Sequence, residues 1–236
     1  MGAGFFGQEA GDTDNGEEQG YGASARFTAA PILQEDRLIH VGFALAWRTP
    51  NADANNPDRI RFRARPETDV SRIRFVDTGQ IRDVDGYLLL GAEYGATFRS
   101  LSVQGEYIQT QVERLRGRQD LTFHGSYVQV SWLLTGESRT YNAQSGEFGQ
   151  VVPSYDSGAW ELAARYSIVD LNDLRGNVTG GREGIFTLGV NWYANLNVRV
   201  MVNVALVNND AFADANGDAI GSDDFEIVQT RFQVTF

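Results

Sequence analysis

Residues 225–236, FEIVQTRFQVTF, alternate without a break. Val228, Thr230, Phe232, Val234 and Phe236 fall on one face of an extended strand, with Gln229, Arg231, Gln233 and Thr235 on the other. A strand with hydrocarbon on one side and water on the other requires this pattern, because successive side chains point to opposite faces. Bacterial outer-membrane barrels characteristically stop on an aromatic residue in the closing strand, as this chain does at Phe236. The expectation is therefore an all-β chain forming a transmembrane, antiparallel up-and-down β-barrel wall.

The same alternation recurs upstream. Val198, Val200, Val202, Val204 and Leu206 oppose Asn197, Arg199 and Asn203; Phe186, Leu188, Val190 and Trp192 oppose Thr187, Gly189 and Asn191. Trp160, Leu162, Ala164, Tyr166 and Ile168 oppose Glu161, Arg165 and Ser167, and Val128, Val130, Trp132 and Leu134 oppose Tyr127, Gln129 and Ser131. Further candidates at 99–113, 84–96, 37–49, 20–30 and 1–7 bring the number to about ten. Most exceed the roughly 9–11 residues that a tilted barrel strand needs to cross a bilayer. The segment 1–7 is shorter, and the opening MGAGFFGQEAGD has neither a charged n-region nor an apolar h-region. Residues 1–236 are thus expected to be a single outer-membrane β-barrel domain, N-terminally incomplete, with Phe186, Val190, Val200 and Phe232 facing outward together. Parity, with the C-terminus in the periplasm, makes 8–19, 50–83, 114–119, 170–183 and 209–224 extracellular loops. It makes 31–36, 97–98, 135–157 and 194–197 periplasmic, of which 135–157 departs from the rule of short turns inside.

Composition narrows the function. No apolar run reaches 18 residues, so no transmembrane helix is expected. Cysteine is absent, which removes thiol chemistry and disulfides, and a net charge of -11 argues against nucleic acid as partner. His40 and His124 stand on separate strands without a spaced partner, and no HExxH, GxSxG or P-loop pattern occurs. Neither an enzyme, a cofactor nor a metal site is expected. The acidic stretches DTDNGEE (12–18) and Asp214 to Asp224 are expected to be solvated surface loops. The second clusters hard oxygen ligands, which gives calcium bridging to lipopolysaccharide as a minor reading, but its glycine and its twelfth position do not fit the EF-hand pattern.

All twenty basic residues are arginine. Arg59, Arg61, Arg63 and Arg65 alternate in DRIRFRARPE, so an extended segment carries four guanidinium groups on one face, about 6–7 Å apart, with Ile60, Phe62 and Ala64 on the other. A row of like charges needs solvent or anions. Two readings stand: a track for anions along a water-filled lumen, or a solvated hairpin whose arginines pair with the acidic loops. Arg72, Arg74 and Arg82 lie in the same loop without a direction fixed by pattern. On the wall, alternation turns Arg26, Arg48, Arg165, Arg199, Arg231, Glu93, Glu106 and Glu161 toward the lumen.

RFRARPE (61–67), WLLTGESRTY (132–141), GAWELAARYS (158–167), DLND (170–173) and LGVNWYANLNVRVMVN (188–203) resemble the phosphate-selective porins O and P, in order along the chain. The resemblance implies a C-terminal portion of a sixteen-stranded, homotrimeric outer-membrane porin. It also implies that 50–83 is the long loop folded into the lumen, bearing part of an arginine ladder. The expected function is passive, anion-favouring diffusion of small inorganic anions such as phosphate or polyphosphate, with outer-membrane lipid and lipopolysaccharide as surroundings. Lysines contribute to phosphate selectivity in the family, and this chain has none. The alternative is a non-conducting barrel that acts as an anchor or interaction surface through its acidic extracellular loops.

Overall fold

The computed structural model describes residues 1–7, 20–50, 58–68 and 72–235. Ten strands form one antiparallel sheet in which each strand pairs with its neighbours in the chain: β1 (Gly2–Gly7), β2 (Tyr21–Leu33), β3 (Arg37–Arg48), β6 (Val84–Phe98), β7 (Leu101–Arg114), β8 (Leu121–Leu133), β11 (Ala159–Asp173), β12 (Val178–Tyr193), β13 (Val198–Asn209) and β14 (Phe225–Val234). Two short hairpins lie between them, β4 (Arg63–Ala64) with β5 (Val76–Asp77), and β9 (Tyr141–Asn142) with β10 (Glu147–Phe148). No helix among the described residues is long and apolar enough to cross a membrane. The sheet is not closed, since β1 and β14 are its two edges. The architecture is consistent with a β-barrel.

Pairing fixes which side chains share a face. Phe186 stands opposite Tyr166 and Leu206, Val190 opposite Leu162 and Val202, and Val200 opposite Trp192 and Phe232. These residues lie on one outer face that is apolar and exposed, reaching 67 % at Phe232. At one end of it Trp160 stacks on Trp192, rings 5.9 Å apart at 24°, and Trp132 sits across from Leu162. Amphipathic rings in such a row suit a membrane–water boundary.

The opposite face is concave. Phe62 packs on Tyr87 of β6 and Phe123 of β8, with ring centroids 5.8 and 5.6 Å away. Phe75, three positions along on the opposite limb of the β4–β5 hairpin, meets Phe225 of β14 at 5.1 Å. In a flat sheet β6 and β14 would stand six strand spacings apart, about 29 Å. One narrow hairpin touches both because the sheet curls around it.

Three expectations need correction. The segment 170–183 is not a loop: β11 runs on to Asp173, β12 starts at Val178, and four residues join them. Its polar, glycine-rich composition marks a β-bulge, where pairing slips between Asp170 and Asn172 and then resumes at Asn172 with Thr179. Secondly, the inner face is not polar throughout. Val112, Leu121, Phe123, Leu171 and Val178 form a buried cluster with Val76, Ile81, Val84 and Ala213, because inserted segments cover them. Thirdly, 209–224 is not simply a solvated loop. Ala213 is fully buried and the Ala215 amide donates to the Phe75 carbonyl at 2.8 Å, which docks this stretch on the 72–83 segment.

Candidate functional site: an arginine-bearing arm on the inner face

Residues 58–68 and 72–83 form an arm laid against the concave face. Its two limbs are tied by Ile60 and Ile81, which exchange amide bonds of 3.1 and 2.9 Å, and by Thr78, whose amide donates to the Phe62 carbonyl at 3.0 Å while its hydroxyl accepts from the Phe62 amide. Ile60, Phe62 and Ala64 pack on the buried cluster beneath. Alternation then turns the intervening arginines away from that cluster, with Arg61 and Arg63 exposed.

The four arginines of the row are not equivalent. Arg61 is bound to the buried Asp77 by both ends of its guanidinium, Nε to Oδ1 at 2.7 Å and Nη2 to Oδ2 at 2.5 Å. This bidentate grip raises the Arg61 pKa above its ordinary value. Burial alone would lift the Asp77 carboxyl, but Arg61 and the Gly79 amide, 2.9 Å from Oδ1, outweigh it and hold the group below the usual carboxylate value. Arg63 makes no ion pair with a described residue. Arg74, whose direction the sequence leaves open, lies in the field of Arg63 and Arg65; lost hydration first, then those two neighbours, lower its pKa. Arg59 stands at the root of the arm, half-buried.

On the wall, register puts Arg26, Arg48, Arg165, Arg199, Arg231, Glu93, Glu106 and Glu161 on the same inner face. They are not a uniform lining. Arg26 donates to Glu93 Oε1 from Nη2 at 2.7 Å and from Nε at 3.1 Å. Arg165 lies 3.7 Å over the Tyr127 ring and donates to Glu67 of the arm at 3.1 Å, while the Tyr127 hydroxyl donates to Glu106 at 2.9 Å. Arg199 donates to Gln233 at 2.7 Å and Arg48 lies 5.2 Å over Phe6. Arg231 is exposed. Glu161 is fully buried, bound to Arg139 and accepting from Tyr193 at 2.7 Å and Asn191 at 2.8 Å.

Arg139 belongs to the 134–158 connection, which also enters the concave face. The β9–β10 hairpin presents Tyr141 to His40 Nδ1 at 2.7 Å, and the Ser145 carbonyl to Arg26 Nη1 at 3.1 Å. His40 Nε2 lies 3.2 Å from Glu93, so this histidine is held inside a structural network. Sequence reading missed Asp77, Arg139 and the hairpin. The pair Tyr141-Asn142 and Glu147-Phe148 around a loop ending in Gly146 was the available signal, and that glycine has φ +70°.

Of the acidic stretches, 12–18 lies outside the described residues. Asp214 accepts from the Gly217 amide at 3.1 Å and Asp224 from Asn208 at 2.8 Å. Among the described residues no three acidic or histidine side chains converge as a metal site would require.

The sequence model of a family described as "Phosphate-selective porin O and P" matches residues 1–236. The chain belongs to this family. Phosphate-selective porins O and P are outer-membrane porins of Gram-negative bacteria, so the localisation is the outer membrane. Porin O of Pseudomonas aeruginosa is 28 % identical over 263 aligned positions, covering 100 % of this chain and 57 % of that protein. An uncharacterized protein of Caulobacter vibrioides is 30 % identical over 220, covering 90 % of this chain and 42 % of its own length. The chain thus spans about half the length of the curated relatives it matches.

Proposed function

We propose that this chain forms the wall and selectivity arm of a passive, anion-favouring channel in the outer membrane. Its sheet completes a sixteen-stranded barrel with upstream strands, and the barrel assembles as a homotrimer among lipid and lipopolysaccharide. The permeating solutes are small inorganic anions, phosphate or polyphosphate among them. The observation that supports this reading is the seating of residues 58–68. Their apolar side anchors on the concave face, and their arginine side leaves Arg63 exposed with Arg65 and Arg74 as electrostatic neighbours.

In this reading Arg63 and Arg74 form the positive field, with Arg65 beside them and Arg59 at the entrance of the row. Arg61 serves as its structural root, with its charge already balanced by Asp77. An oxyanion moves between guanidinium forks by exchanging hydrogen-bond partners, held strongly enough to enter and weakly enough to leave. Two wall carboxylates are already balanced, Glu93 by Arg26 and Glu161 by Arg139, while Glu106 is held by the Tyr127 hydroxyl.

Reversal potential across planar bilayers tests the assignment in the complete porin. Arg63→Ala with Arg74→Ala should bring anion-over-cation preference toward neutrality in dilute salt. The difference from the parent should shrink in concentrated salt, since the screening length falls from about 10 Å at 0.1 M to about 3 Å at 1 M. Full anion preference in the double variant would remove the arm from the selectivity mechanism.

A further inference from the structure

Two turns at the Trp160–Trp192 end carry a group that the channel reading does not use. Arg37 and Phe98 are direct partners across β3 and β6, and both side chains point to the outer face. Arg37 Cζ lies 5.2 Å from the Phe98 ring centroid and Arg99 Cζ lies 5.5 Å from it, so one exposed aromatic ring holds two guanidinium groups. Asp36 stands 3.8 Å from Arg37 Nε and 3.9 Å from Arg99 Nε. Those separations exceed hydrogen-bond length, so the carboxylate gathers the two cations without occupying their donors. Neither guanidinium donates a hydrogen bond to a described residue, and the two side chains remain 53 % and 71 % exposed. Glu35, in the same turn, comes within ion-pair distance of neither.

Height in the membrane follows from register. Phe98 pairs with Leu101, Leu101 with Trp132, and Trp132 with Leu162. The Phe98 ring therefore stands in the row that leads to the tryptophan belt, where hydrocarbon gives way to headgroups. Both arginines lie at headgroup level on the outer wall, at the end that the C-terminal parity assigns to the periplasm. The leaflet at that end consists of glycerophospholipid, whereas lipopolysaccharide occupies the opposite one.

We propose that Arg37, Phe98 and Arg99 form a binding site for the headgroup of a zwitterionic aminophospholipid in the periplasmic leaflet. The two forks take the phosphate oxygens, a geometry in which guanidinium outperforms ammonium. Phe98 packs between the acyl chains, and the Asp36–Glu35 turn receives the ammonium group. Two cations and two carboxylates match a headgroup with one of each charge and no net charge. The proposal rests on the wall reading of the outer face and is independent of what passes through the pore.

Native mass spectrometry of the complete porin, titrated with short-chain phosphatidylethanolamine, tests it. Arg37→Ala with Arg99→Ala should lower the affinity of the tightest-bound lipid at least five-fold, and Arg37→Lys with Arg99→Lys should recover only part of it. Arg116→Ala with Arg118→Ala, at the other end of the wall, should leave it unchanged. Unchanged lipid occupancy in the first variant overturns the site, and so does an equal loss of binding for short-chain phosphatidylglycerol, which would show plain charge attraction. A selective loss of lipid A binding instead would assign the arginines to the opposite leaflet and overturn the proposal equally. Reversal potential in the same variant should match the parent, which separates failure here from failure of the channel reading.

Discussion

Arg61 and Asp77 share two parallel hydrogen bonds across the arm, at 2.7 and 2.5 Å, and so the second of four alternating arginines is withdrawn from the row. Asp77→Asn removes the counter-charge while keeping the volume. Anion preference by reversal potential should rise, since Arg61 regains its field. The arm should also be held less firmly, by about 1–3 kcal/mol, the usual penalty for leaving a buried polar partner unsatisfied. Faster proteolytic nicking of the arm would report that loosening, and a fall in anion preference would contradict the assignment.

Acid should release the inserted segments late. Burial pushes the carboxyls of Asp77 and Glu137 upward, but Arg61 and the Gly79 amide overcome it for the first, and the Thr135 hydroxyl with the Ser154 amide for the second. Both therefore lie below their ordinary values. A carboxyl depressed in the native state contributes stability that is complete above its unfolded pKa, about 4, and is lost as pH falls through the native value. Protease resistance of the two inserted segments should hold steady from pH 7 to about pH 4 and fall only below it. A transition near pH 6 would place control in other groups.

Arg139→Ala leaves the Glu161 carboxylate buried with Tyr193 and Asn191 as its remaining donors. Breaking a buried pair from one side costs about 3–5 kcal/mol. The 134–158 connection should become protease-sensitive and single-channel conductance should increase. Glu161→Gln should be milder, because the Arg139 guanidinium it leaves unpaired is partly exposed whereas the Glu161 carboxylate is fully buried.

Gly181 has φ +86°, and a Cβ there would lie 2.4 Å from Ala213 Cα. Gly181→Ala should therefore strain the backbone and push the 210–224 segment off the arm together, destabilising by about 1–3 kcal/mol. Thermal melting and hydrogen exchange at the Ala215 amide, which donates to Phe75, would register it. Gly117, with φ +69° and no atom within 4 Å of a Cβ, is a control for the backbone contribution alone.

The strands were legible because each carries its own alternation; the registers of Phe186, Val190 and Val200 need nothing beyond a period of two. What escaped was material whose partner lies far along the chain. Polar Asp170, Asn172 and Gly180 read as a loop, since nothing local reveals that Asn172 pairs with Thr179 beyond a bulge. Leu121 and Phe123 share the lumen-facing parity of Tyr127 and Gln129, and only the folded arm shows why apolar side chains stand there. The arginine row was visible as a row, yet the sequence could not divide it. Arg63 lies opposite Asp77 in the hairpin while Arg61 takes the carboxylate, and only folded geometry makes that choice.

The β9–β10 hairpin is fastened at both ends, to Arg26 and His40 on one flank of the vault and through Arg139 to Glu161 on the other. Glu161 stands five strand spacings around the wall from Arg26 and four from His40. Such a tie rod resists ovalisation: squeezing the wall from one side would stretch it, and pulling would tear out a buried carboxylate. The bore should thus keep a fixed cross-section under lateral pressure, making permeability indifferent to membrane tension.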